Sequence, residues 1–301
     1  MRYRGLFKRI QPLLRIIISL ILFFFLFKRL ERATLWDTLI SIPIYFWALS
    51  FFIYLISQII STIRWWIILK EMRLSGEWLE FAIIYFKGIF FNLFLPTSIG
   101  GDLYKIHTIS KKNHRFQAVL SVFQDRLMGL ISLCLIGMIS ANLMLSNIPE
   151  SLWIILNILA LLSLLMIIFL KIYKKIFHIL GLKDRNPRLI TVNNTNPFLK
   201  ILSLSFLIQF GSILSVVIIG KGLSLNIPIG YYFIALPLIT LLTLLPITFN
   251  GIGIREYAFI YLFGLRRISA EDAMAMSLLF FSVQILTGII GGILYILNPG
   301  D

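Results

Sequence analysis

From Phe86 to Asp102 the chain reads FKGIFFNLFLPTSIGGD. The stretch is apolar enough to enter a bilayer, yet Pro96 breaks it about halfway, and Gly100 and Gly101 follow. Proline removes a backbone donor and clashes with the preceding turn, so a helix stops there. In hydrocarbon no water replaces the lost bonds. Broken backbone at membrane depth therefore persists only inside protein or beside a water-filled cavity. The same stretch carries Lys87, Asn92, Thr97, Ser98 and Asp102, a mixture for which a plain membrane anchor has no use. A related break runs from Leu245 to Glu256, LPITFNGIGIRE, with Pro246, Gly251 and Gly253. The two breaks read as one site, with the remaining segments holding them in place.

The surroundings of these breaks are apolar throughout. Of the 301 residues 59% are apolar and 14% charged, and the mean hydropathy is +0.92. That charged share is about half of what soluble domains carry. Long apolar runs predict an all-α, polytopic helical membrane protein; the short alternating segments of a β-barrel are absent. Residues 1–301 read as a single transmembrane domain without a separate soluble domain. The net charge of +15 fits cytoplasmic loops that fix orientation, and the same residues suit anionic lipid headgroups. Nucleic-acid binding is not expected, because no soluble basic domain carries it. Cys134 is the single cysteine, which excludes an intrachain disulfide and a cysteine metal cluster. Arg2, Arg4, Lys8, Arg9 and Arg15 precede the first apolar run, and Lys28 and Arg29 close it. With no small-residue cleavage site, this is read as an uncleaved first helix with a cytoplasmic N-terminus.

Six full spans are expected, over about 13–27, 38–63, 116–143, 152–170, 198–219 and 273–297. The Trp65–Trp66 pair closing the second suits an interfacial belt, and Arg64 beside it reads as an interfacial anchor. A basic cytoplasmic loop is expected over 171–200, with a surface helix near 172–182. Leu79–Leu95 and Leu103–Ile109 are each too short for a ~30 Å core. Together they fit a re-entrant helical hairpin from the cytoplasmic side. Tyr231–Leu245 and Ile254–Phe263 fit a second one, opening from the opposite side.

The two hairpins define two comparable halves, 38–143 and 198–297. Leu95-Pro96 corresponds to Leu245-Pro246, and Gly100-Gly101 to Gly251 and Gly253. Charges follow each break: Asp102 and Lys105, then Arg255 and Glu256. Gln124, Asp125, Arg126 and Gly129 lie in the next span of one half, Gln284 and Gly288 in that of the other. The first half enters from outside and the second from inside, so the repeat would be inverted. Interrupted apolar segments at corresponding positions point to a transporter site. Two unrelated kinked helices are the alternative.

The polar residues of these segments are the candidate substrate-binding set: Lys87, Asn92, Thr97, Ser98, Asp102, Lys105, Asp125, Arg126, Asn250, Arg255, Glu256 and Gln284. Pro96, Gly100, Gly101, Pro246, Gly251 and Gly253 are the candidate breaks or hinges. An intramembrane charge costs at least ~2.5 kcal/mol on insertion scales and faces a cavity or a partner. Arg126 is therefore read as lining a cavity, with Asp125 orienting it; an entry-level pair just below the headgroups is the other reading. Arg255 at the start of a half-helix makes a phosphate clamp beside free N–H groups, or else simply pairs with Glu256. Asp102 either caps the half-helix near Leu103 or handles substrate or a proton. Lys87 binds substrate or snorkels to the interface. His107, His114 and His178 are scattered, with neither metal-ligand spacing nor a nucleophile–base arrangement. No phosphate-cradling nucleotide loop is present. The expectation is a protein without catalytic residues, metal or cofactor, driven by gradients or mass action.

FFNLFLPTSIGGD, then AVLSVFQDRLMGL and LPITFNGIGIREYAF, resemble the lysylphosphatidylglycerol synthase transmembrane region, also called flippase-like or UPF0104, from about Arg64 onward. The resemblance implies movement of a lipid, often with a modified or glycosylated headgroup, between leaflets. It carries Asp102, Asp125, Arg126, Arg255 and Glu256 over as charged motif residues. Two-domain members add a soluble aminoacyltransferase. This sequence ends at Asp301 without one, so lipid synthesis is not implied. The expected function is thus a lipid translocase of the bacterial inner membrane. Its partners would be phospholipids or polyprenyl-phosphate-linked lipids and, as one option, a membrane enzyme. A non-transporting scaffold or lipid-binding partner of a glycosyltransferase is the alternative.

Overall fold

The computed structural model describes residues 2–74, 76–94, 100–110, 115–145, 148–179, 195–245 and 247–298. Pro96, Thr97, Ser98 and Pro246 lie outside them, as do residues 180–194 of the expected basic loop. The described elements are all helical, as expected: α1 (Arg2–Arg29), α2 (Arg32–Ser41), α3 (Ile44–Glu71), α4 (Trp78–Phe94), α5 (Gly100–Ser110), α6 (Arg115–Leu143), α7 (Glu150–Ile179), α8 (Thr195–Gly222), α9 (Ile229–Leu244), a 3-10 turn (Phe249–Gly251), α10 (Ile254–Gly264) and α11 (Ala270–Leu297). Among the described residues, five helices are long and apolar enough to cross a membrane: α3, α6, α7, α8 and α11. The expected first span falls within α1.

The second span needs correction. It does not begin at Thr38. Pro43 separates the ten-residue α2 from α3 because it cannot continue the helix ladder, and Ile42 before it is extended at ψ 123°. The helix then runs through Trp65 and Trp66 to Glu71. Trp65 is fully buried and meets Phe81 edge-on with centroids 5.9 Å apart, so it does not belong to an interfacial belt. At the far end of the chain, Ser269 caps α11 by accepting from Asp272 N–H at 3.0 Å, with Glu271 and Asp272 in the first turn. That is the sign of charge a helix N-terminus favours.

The long helices α3 and α8 pack antiparallel: Phe46 lies beside Gly222, Ser57 beside Gly211, and Arg64 reaches Ser205. Around this pair the packing comes in matched sets. α4 lies on α11 and α6 on α9; α4 meets α5 and α9 meets α10; α5 packs on α6 and α10 on α11. α3–α4 answers to α8–α9, α3–α6 to α8–α11, and α6–α8 to α3–α11. α7 on α6 is matched by α2 on α11. Exchanging the segment α2–α6 with α7–α11 thus carries each of these packings onto another.

In hydrocarbon, helices gain little from hydrophobic burial and associate through close contact at small residues. Gly101 on α5 sits against the Gly88 carbonyl of α4, and Gly291 of α11 against the Phe86 carbonyl, so a Cβ at either position would overlap backbone. A Cβ at Gly264 would meet nothing within 4 Å. Gly101→Val should therefore lower stability in detergent by about 1–3 kcal/mol, the usual cost of overpacking. Gly264→Ala should leave the thermal unfolding midpoint unchanged.

Candidate functional site

A cavity of about 330 Å³ opens where the two hairpins approach α3, α6, α8 and α11. From α3 it receives Tyr54, Gln58, Ser61 and Arg64; from α4, Tyr85 and Asn92; from α5, Lys105. Asp125 and Arg126 of α6, Gln209 and Ser212 of α8, Thr240 of α9, Asn250 at the second break and Gln284 of α11 complete its polar wall. An adjoining hollow of about 270 Å³ shares Tyr54, Asn92, Arg126, Gln209, Asn250 and Gln284 and adds Arg255. The two hollows thus share a wall, and together their linings run from Asn92 and Lys105 to Asn250 and Arg255.

Each half-helix after a break is anchored at its start by a side chain. Asn92 Oδ1 accepts from Gly101 N–H at 2.8 Å, tying the end of α4 to the start of α5. Glu256 Oε2 accepts from Gly253 N–H at 2.6 Å, which is half of a capping box at the start of α10. Asn250, Gly251 and Gly253 have φ of 48°, 75° and 88°. The left-handed values explain glycine at two of these places, since other side chains adopt them at a cost. Ser19 of α1 closes the second break from outside by accepting from Phe249 N–H at 2.7 Å.

Three clusters hold the charges. Arg64 Nε lies 2.9 Å from Asp125 Oδ1 and its NH1 donates to Ser205 Oγ at 2.9 Å. Asp102 serves two cations: Arg126 Nε at 2.9 Å on Oδ2 and Lys105 Nζ at 3.3 Å from Oδ1. Lys105 also lies over the Tyr85 ring at 4.3 Å and the Trp65 ring at 5.3 Å, where a desolvated cation gains from the ring faces. Glu256 Oε1 accepts from Arg255 Nε at 2.9 Å and NH2 at 2.8 Å and from Ser277 Oγ at 3.2 Å. Arg255 NH1 donates to Gln284 Oε1 at 3.3 Å, and its guanidinium covers the Phe281 ring at 4.0 Å. Of these side chains Arg126 stands out: it is 41% exposed, whereas its partner Asp102 is 8% exposed. Arg126 is where the charged lining reaches open space.

Of the residues singled out above, Asn92, Lys105, Asp125, Arg126, Asn250, Arg255 and Gln284 line the polar space. Asp102 and Glu256 lie behind the cations that do so. Lys87 sits apart: it is fully buried, donates to the Asn298 carbonyl at 2.8 Å and faces Tyr295 at 6.0 Å. Asp125 does not orient Arg126 by an ion pair but holds Arg64, whose role as interfacial anchor is thereby overturned: its side chain is 6% exposed. A signal for the missed residues was present. Tyr54, Gln58 and Ser61 recur at i, i+4, i+7 down an otherwise apolar span, and so do Ser205, Gln209 and Ser212, each 151 positions later. A polar stripe on a membrane helix faces a cavity or a partner. Among the described residues no group of three His, Cys, Asp or Glu side chains is arranged to hold a metal ion.

Removing one partner of a buried ion pair leaves an uncompensated charge and costs about 3–5 kcal/mol, whereas replacing both by apolar groups is often tolerated. Arg64→Met alone should therefore lower the unfolding midpoint in detergent sharply. The double variant Arg64→Met/Asp125→Leu should recover most of the loss, measured under the same conditions.

The family model described as the lysylphosphatidylglycerol synthase TM region matches residues 13–292. The chain is also 31% identical over 210 residues to the UPF0104 membrane protein MJ1078 of Methanocaldococcus jannaschii, covering 64% of this chain and 86% of the relative. The apolar helices and this match make it a multi-pass membrane protein. With nearly its whole length matched, the chain belongs to the lysylphosphatidylglycerol synthase transmembrane-region family.

Proposed function

We propose that this protein is a lipid translocase that moves the headgroup of an anionic lipid between leaflets through the polar space between its two broken hairpins. The observation that carries the reading is a pair of adjoining polar hollows with a common wall, one lined by Lys105 and Arg126 and the other by Arg126 and Arg255. A charged headgroup crossing hydrocarbon loses its hydration, and fixed cations with neutral hydrogen-bonding groups replace it. The acyl or prenyl tails remain in lipid. A family whose description names a lipid synthase supports lipid handling. The three carboxylates at the site each hold a cation, which supports binding and positioning rather than acid–base chemistry.

In this reading the two hairpins are re-entrant, opening from opposite faces, and the halves are an inverted repeat. The antiparallel α3–α8 pair and the exchangeable packing support it. Rocking of one half against the other would expose the site alternately to each side. The N-terminus lies in the cytoplasm, so the turn before α11 is external and the turn before α4 internal. In a Cys134→Ser background, a cysteine at Arg267 should react with a membrane-impermeant maleimide in intact cells. One at Glu77 should react only after permeabilisation. The opposite labelling would overturn this topology.

Transport is tested in proteoliposomes carrying fluorescent phospholipids or polyprenyl phosphates, with a quencher confined to the outer leaflet. The expected result is faster loss of signal than in empty vesicles. Arg126→Ala should slow it about tenfold or more, the value of one charge-assisted contact. No acceleration for any of these lipids would sink the reading.

A further inference from the structure

We infer that α1 is a lateral gate: it closes the second break against the surrounding lipid, and its withdrawal opens the hollows sideways to a lipid whose tails stay in the bilayer. The inference rests on the translocase reading and adds how that site is entered.

It starts from what α1 touches. The exchange that carries α2–α6 onto α7–α11 leaves α1 without a counterpart among the described elements. α1 packs on the 3-10 turn of the second break and on α10. Asn250 of that turn lines both hollows, and Phe249 before it donates its N–H to Ser19 Oγ at 2.7 Å. The turn thus meets the hollows on one side and α1 on the other. The approach is close: a Cβ at Gly253 would lie 2.7 Å from Leu22 Cβ and 3.4 Å from the Ser19 carbonyl oxygen.

The contact is also narrow. Ser19 is buried, whereas Ile17, Ile18, Leu20 and Ile21 around it are exposed. Apolar contacts alone hold a helix weakly in a bilayer, because lipid tails replace them at little cost. The Ser19 bond is different, since an N–H freed in hydrocarbon finds no acceptor. That bond is the catch that favours the closed position. Toward its external end α1 is fastened by more. Leu30 is buried with Met274 and Ala275, and Glu31 N–H donates to Glu271 Oε1 at 3.2 Å. A helix pinned at one end and caught at its middle by one bond swings about the pinned end.

The turn behind the catch has the marks of a part with two arrangements. Asn250 holds a φ of 48° without being glycine, a cost of the kind that persists at functional sites. Thr248 Oγ1 is buried with no hydrogen-bond partner among the described residues, although such groups are nearly always paired. With α1 withdrawn, the Phe249 N–H is open to an ester oxygen of a passing lipid, which takes the place of Ser19 Oγ.

Two measurements on the purified full-length protein in proteoliposomes test this, both in a Cys134→Ser background. The first locks the gate. Ser19→Cys/Phe249→Cys should form a disulfide under oxidant. Closing it should slow transport of fluorescent phosphatidylglycerol about tenfold or more, the effect expected when the site is shut off, and a reductant should restore the rate. The second watches α1 without any transport assay. Spin labels on Leu20→Cys and Tyr257→Cys, at exposed positions of α1 and α10, should report two distances. Ser19→Ala should enlarge the longer-distance population about fivefold, the value of one neutral hydrogen bond. Full transport with the disulfide closed, failure of the disulfide to form, or a single distance unmoved by Ser19→Ala overturns the gate and leaves translocation standing. Two distances without transport of any lipid overturn translocation and leave the movement of α1 standing.

Discussion

Backbone N–H groups released where an apolar helix breaks must find acceptors within the protein, because hydrocarbon offers none. Among the described residues three side chains do so: Asn92 for Gly101, Glu256 for Gly253 and Ser19 for Phe249. The rest of the architecture follows from that requirement. The described residues beside the breaks, Asn92, Lys105 and Asn250, share a cavity with α3, α6, α8 and α11, which supply its other walls. The small residues that let these helices close, Gly101 on Gly88 and Gly291 on Phe86, matter for the same reason.

Enclosure raises the cost of every charge placed inside. The molecule meets it with ion pairs and aromatic faces. Arg64 is neutralised by Asp125, Arg255 by Glu256, and Lys105 rests on two rings as well as on Asp102. Glu256 has two tasks at once, one oxygen on the half-helix start and the other on Arg255. The second break and its cation are thus one unit. In the first half the helix start and the charges are held separately, by Asn92 and by Asp102. That separation leaves Arg126 extending into open space while its partner stays buried.

Much of this was legible in the sequence, and for physical reasons. Apolar runs longer than a bilayer is thick demand helices. Pro96 and Pro246, with glycines and charges close behind, demand interruptions, and the interruptions recur at matching positions. Two errors have equally physical causes. Arg64 beside Trp65 and Trp66 resembles an interfacial anchor because sequence alone does not tell how far α3 continues, and it continues to Glu71. Lys87 looked like a site residue because it shares a segment with Asn92. Five positions on a helix turn the two side chains apart, and Lys87 reaches the Asn298 carbonyl instead.

The sequence by itself determined the helical membrane class, the two breaks and which residue types stand beside them. These follow from local chemistry: proline followed closely by glycines interrupts a helix ladder, and apolar length sets what a segment can span. Only the tertiary structure decided which carboxylate serves which cation. Arg64 and Asp125 are 61 positions apart and Arg126 and Asp102 are 24 apart; their pairing depends on how α3, α5 and α6 pack, which no local pattern specifies. The same packing turned the polar stripes of α3 and α8 toward one shared space, because two antiparallel helices in contact expose their matching faces to the same neighbours.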